Sequence, residues 1–96
     1  MAVGNFELLN VTFARKGGGH WVFMTGEILN NSSRNYTSAV FRLSVFERNH
    51  VMWTGAVRVR NFRKHQGRPF EVQMERFAYE SIVHISRYEL FFESGY

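Results

Sequence analysis

The chain has 96 residues, 45 % of them apolar and 17 % aromatic with ten Phe, and a net charge of +4 at a sequence pI near 10.0, ten of its twelve basic residues being Arg. That length holds one hydrophobic core and buries roughly 60–65 % of the surface the unfolded chain exposes. Cysteine and aspartate are both absent, which excludes disulfides and thiolate metal sites, removes the usual ligand of magnesium and calcium and the usual third member of a nucleophile triad, and so argues against an enzyme.

From Asn5 to Ala14, Phe6 and Leu8 fall on one side of an extended chain and Leu9, Val11 and Phe13 on the other, so a strand bulged between Leu8 and Leu9 is expected to aim both sets at a core. Arg15-Lys16-Gly17-Gly18-Gly19 then reads as a flexible hairpin tip. A phosphate-cradling glycine loop would need a helix after it, whereas His20-Trp21-Val22-Phe23-Met24 reads as strand. That strand runs to Leu29 with Val22, Met24 and Ile28 on one face and Trp21, Phe23 and Thr25 on the other, as in a central strand covered on both sides at its start. Gly26 inside it predicts a bulge or the close approach of a large ring from the facing sheet. Asn30 to Asn35 is polar throughout and reads as a loop.

Two alternating runs, Tyr36 to Phe46 and Val51 to Val59, flank Glu47-Arg48-Asn49-His50 and predict a central hairpin. A four-residue or bulged turn suits that linker, with Asn49 the residue best able to take a positive φ. Phe41, Leu43, Val45, Val51, Trp53, Val57 and Val59 are expected to share the core face, with Arg58 and Arg60 outward. A basic loop follows to Pro69, which stands where a strand tolerates a missing donor; Phe70, Val72 and Met74 then point inward and Glu71, Gln73 and Glu75 outward. Arg76 to Ser86 can hold a helical turn, and Arg87 to Glu93 is a last strand with Tyr88, Leu90 and Phe92 on one face.

These patterns predict an all-β fold, a two-sheet antiparallel sandwich of six or seven strands, immunoglobulin-like, with a small closed barrel as the alternative. Phe6, Val22, Met24, Ile28, Phe41, Leu43, Val45, Trp53, Val57, Phe70, Val72, Tyr88 and Leu90 are expected in or near its core. Residues 1–96 read as one domain, of a kind that can also be excised from a larger protein. No stretch is long and apolar enough to span a membrane, and the N-terminus lacks the basic start and apolar core of a signal peptide, so an intracellular location is expected. Glycosylation acceptor patterns at Asn10, Asn30, Asn31 and Asn35 support the alternative, a glycosylated extracellular domain, although such patterns arise by chance wherever Asn, Ser and Thr cluster in turns.

The succession Gly26-Glu27-Ile28-Leu29-Asn30-Asn31-Ser32, Phe41-Arg42-Leu43-Ser44-Val45-Phe46-Glu47, Gly67-Arg68-Pro69-Phe70-Glu71-Val72 and Ser86-Arg87-Tyr88-Glu89-Leu90 resembles the FxLYD family of small β-sandwich domains, over about Val22 to Phe92. The chain departs from the family at the naming motif, with Glu47 in place of its Asp and His50 where a glycine is common. The resemblance implies a sandwich fold and a role as an extracellular or accessory interaction module, without catalytic residues.

The chemistry-bearing residues do not gather in sequence. His20, His50, His65 and His84 lack any i+2 or i+4 pairing that argues for a metal, and the serines lack a nucleophile-elbow context. No cofactor is implied. The functional lead is the basic segment Arg58, Arg60, Phe62, Arg63, Lys64 and Arg68. Its plain reading is a charged loop that keeps an edge strand from pairing with other chains, its charge partly offset by Glu71, Glu75 and Glu47. Its functional reading is a site for an acidic protein partner, because Arg recognises carboxylates bidentately. The alternative ligand is single-stranded nucleic acid, held by phosphate contacts and by bases stacked on Phe62. For either ligand Arg58, Arg60 and Phe62 are expected to form one exposed row, with Arg63, Lys64 and Arg68 on the adjoining loop.

Overall fold

A computed structural model describes residues 2–3, 5–16, 19 and 21–96. The chain forms β1 (Ala2–Val3), β2 (Phe6–Arg15), β3 (Val22–Asn30), β4 (Tyr36–Glu47), β5 (His50–Phe62), β6 (Gly67–Met74), a 3-10 helix (Tyr79–His84) and β7 (Arg87–Gly95). The strands make two antiparallel sheets, one in the order β1-β2-β3-β6 and the other β5-β4-β7. Because alternation gives each sheet one apolar face, the two faces close on each other as a sandwich. The expected glycine tip at Gly17 and Gly18, with His20 after it, lies outside the described residues. No helix among the described residues is long and apolar enough to cross a membrane.

Val22, Met24, Ile28, Phe41, Leu43 and Val45 are fully buried, and all thirteen residues expected in or near the core either lie in it or pack on it. At one end the rings of Phe6, Tyr36, Phe41, Phe62 and Phe92 form a cluster, with neighbouring centroids 4.9 to 6.2 Å apart. Each buried ring contributes about 1.5–3 kcal/mol by leaving water. Tyr36, Phe62 and Phe77 are buried as well, three positions that periodicity does not single out.

Several expectations about strand phase are corrected. The bulge in β2 falls between Leu9 and Thr12, where Asn10 takes φ 55° and Asn10 and Val11 together oppose Gly26. Phe6 and Leu8 before it and Val11 and Phe13 after it thereby reach the core. The ring against Gly26 belongs to Phe70, its partner on β6 of the same sheet rather than a residue of the facing sheet; an added Cβ would stand 2.9 Å from Phe70 Cε1. β3 is central, but Trp21, expected on its covered outer face, precedes the strand and is 47 % exposed, while Phe23 and Thr25 on that face are half-buried. The β4–β5 turn has two residues, Arg48 and Asn49, and the positive φ, 55°, belongs to Arg48. Arg48 N–H is held there by Ser86 Oγ at 2.7 Å. Val45 pairs with Trp53 but Phe46 with Val51, so Met52 is an extra residue that turns toward the core and Val51 is turned out.

Candidate functional site at the basic edge

Val59 is buried on the core face of β5, so Arg58 and Arg60 on either side of it leave on the outer face, opposite Val40 and Ser38 of β4. Strict alternation would add Phe62 to that row. Instead Asn61 adopts φ 52°, which shifts the phase by one residue, and Phe62 turns inward to become fully buried against Phe6 and Phe41. The expected exposed row therefore stops at Arg60, and Phe62 is a core residue.

Arg68 is likewise withdrawn from the surface row. It shares the inward phase of Phe70, Val72 and Met74 but sits at the end of edge strand β6, and its Nη1 donates to the carbonyl oxygens of Arg60 at 2.9 Å and Asn61 at 3.3 Å. The guanidinium thus ties the edge of one sheet to the edge of the other and occupies carbonyls that an incoming strand would use. An inward-pointing charge is one of the ways sheets protect their edges.

The turn between β5 and β6 is fixed by side-chain acceptors. Arg63 N–H donates to Gln66 Oε1 at 3.0 Å and Lys64 N–H to Asn35 Oδ1 at 2.8 Å, while His65, at φ 64°, donates to Asn30 O at 2.6 Å. With their backbones anchored, Arg63 and Lys64 carry exposed side chains, as Arg58 and Arg60 of β5 do. Beneath them Asn30 is completely buried. Its Nδ2 donates to Arg34 O at 3.0 Å and Phe62 O at 3.4 Å, and its Oδ1 accepts from Ser32 N at 2.9 Å and Ser32 Oγ at 2.5 Å. One amide therefore joins the 31–35 loop to the end of β5. Burial closes the glycosylation pattern at Asn30, whereas Asn10, Asn31 and Asn35 are exposed.

Arg58, Arg60, Arg63 and Lys64 bring four positive charges to this edge, and the Glu27 carboxylate lies against Gly67 at the end of the same turn. The ion pairs are Lys16–Glu71, Arg42–Glu93 at 2.9 Å, His84–Glu47 at 3.5 Å and Arg87–Glu89. Glu71 and Glu47, expected to offset the basic segment, are thus engaged elsewhere, and among the described residues neither they nor Glu75 pair with Arg58, Arg60, Arg63 or Lys64. Among the described residues these four cations, on one strand end and one turn, form no ion pair. Beside them Asn35, Tyr36, Thr37, Asn61 and Arg63 line a polar cleft of about 230 Å³. Among the described residues no three His or Glu side chains gather as a metal site. The sequence located this edge by its run of Arg and Lys, but the residues that shape it, Asn30, Asn35 and Asn61, carried no signal beyond turn propensity. Comparison of the chain with protein-family models, with curated proteins and with solved structures found no match.

Proposed function

We propose that the protein is a non-catalytic interaction module that presents Arg58, Arg60, Arg63 and Lys64 to an acidic segment of a protein partner. The observation that carries this reading is that, among the described residues, none of these four exposed side chains is engaged in an ion pair. A cationic patch on an anchored strand end steers acidic partners and pairs with their carboxylates at little reorganisation cost. The resemblance to FxLYD domains supports the same class of role. Burial of Phe62 removes the ring on which a base would stack, which leaves the nucleic-acid alternative with phosphate contacts alone.

Titration of the isotope-labelled protein with a glutamate-rich peptide tests the reading. Amide shifts should concentrate on residues 58–64, and binding should weaken as salt shortens the screening length. The Arg60→Ala, Arg63→Ala double variant should bind roughly tenfold more weakly with its melting temperature preserved. Binding that survives the double variant unchanged, or shifts confined to other surfaces, would overturn the proposal.

A further inference from the structure

We infer that the cleft at Asn35, Thr37, Asn61 and Arg63 is a phosphoryl-binding subsite that takes a phosphorylated side chain of the acidic partner; the inference rests on the interaction reading above. The cleft holds about 230 Å³, less than the roughly 300 Å³ at which pockets for drug-sized ligands begin, so it suits a small polar group. Its lining is basic and neutral, with Arg63 and no carboxylate. By contrast, three further clefts each include a glutamate, Glu80, Glu75 or Glu89. Each of those three also holds an arginine, so what sets this cleft apart is the lack of a carboxylate side chain in its lining.

The hydrogen bonds around the cleft leave donors on its wall and remove acceptors. Asn35 Oδ1 is committed to Lys64 N–H at 2.8 Å, which leaves the amide NH2 as the end of that side chain without a partner among the described residues. Thr37 N–H is spent on Tyr96 O at 2.6 Å, so the threonine offers its hydroxyl. Arg63 supplies a guanidinium fork, the side chain best matched to two oxygens of one phosphoryl group. A phosphomonoester brings nearly two negative charges and three strong acceptors, which fits a cleft with donors on its wall and no carboxylate side chain in its lining better than a single carboxylate does.

The test compares three synthetic peptides of one glutamate-rich sequence, with Ser, Glu or phosphoserine at the central position, by fluorescence anisotropy with the intact chain. The phosphoserine peptide should bind about tenfold tighter than the Ser peptide, as expected for one or two added charge-assisted hydrogen bonds. Asn35→Asp keeps an acceptor for Lys64 N–H while replacing the donor on the cleft wall with negative charge, and should abolish that preference without changing the melting temperature. Arg63→Gln should reduce the preference, whereas Arg58→Gln should weaken all three peptides alike. Equal binding of the Ser and phosphoserine peptides would overturn the subsite and leave the interaction reading standing. Failure of all three to bind would overturn both. A phosphoserine preference that persists in Asn35→Asp, or tighter binding of a 5′-phosphorylated oligonucleotide than of the phosphopeptide, would overturn the assignment to this cleft and this partner.

Discussion

Phe62 is the residue at which a binding role and a packing role predict opposite measurements. As a surface ring it would cost almost nothing to truncate. In the structure it is fully buried, with centroids 6.2 Å from those of Phe6 and Phe41. Removing a buried Phe costs about 3–5 kcal/mol, the larger values arising where the surroundings cannot collapse into the void. Phe6 and Phe41 are held by strands of different sheets and by their own contacts with Phe92, so the cavity should persist and Phe62→Ala should cost about 4 kcal/mol. A domain of 96 residues has a total stability of about 5–14 kcal/mol, so this one change removes more than a quarter of it. At about 4–8 °C per kcal/mol for a domain of this size, the melting temperature should fall by some 16–32 °C. Urea unfolding followed by circular dichroism measures the loss, with Arg63→Ala, expected within about 0.5 kcal/mol, as the surface control. Phe62→Leu retains most of the volume and keeps a variant measurable if Phe62→Ala unfolds. A loss below about 1 kcal/mol for Phe62→Ala with an unchanged denaturant slope would refute the inward phase set by Asn61.

The same unfolding assay applies to Asn30→Asp, which turns the donor to Arg34 O and Phe62 O into a buried acceptor and should cost about 3–5 kcal/mol, against less than about 0.5 for exposed Asn31→Asp; equal effects would contradict the burial of Asn30. Gly26→Ala places a Cβ 2.9 Å from the Phe70 ring and 3.1 Å from Leu9 O and should cost about 1–3 kcal/mol. At Gly55→Ala the nearest obstacle is the half-buried Trp53 ring, which can swing outward, so its main effect should be a red shift of tryptophan fluorescence; a larger stability loss than for Gly26→Ala would reverse the argument. Arg68→Met should cost about 1–3 kcal/mol and raise the light scattering of concentrated solutions, because the Arg60 and Asn61 carbonyls are then uncovered at the sheet edge; a variant as stable and as monodisperse as the parent would show that the tie is dispensable.

Fold class was legible because β3, β4 and β6 alternate cleanly over most of their length, and a half-buried sheet leaves that mark on any sequence. The phase shifts were not legible. Asn10, Arg48 and Asn61 take a left-handed conformation without being glycine, and although Asn favours that region, its presence does not say which Asn adopts it, nor does anything mark Arg48, until the neighbours in space are known. Each slip reverses the faces that follow: Val51 was expected inside and is exposed, and Phe62 was expected outside and is buried. The basic segment was legible as composition, since Arg58, Arg60, Arg63 and Lys64 lie close together in the chain. The cleft beside them was not, because Asn35 comes from a loop that only the buried amide of Asn30 brings to the end of β5.

The strand order bears on how the chain reaches this state. The pairs β2–β3 and β4–β5 join neighbours in sequence, and such hairpins close within about 1–10 μs. Both sheets are then completed by late arrivals, since Val22 of β3 pairs with Met74 and Phe46 of β4 with Arg87. Such distant pairings put folding in the millisecond-to-second range. During synthesis each sheet lacks its last-made strand until β6 and β7 have emerged, and at about 5–20 residues per second the stretch after Phe62 occupies a few seconds. In that interval Phe41, Leu43 and Val45 await Tyr88, Leu90 and Phe92, and a holding chaperone has its opportunity.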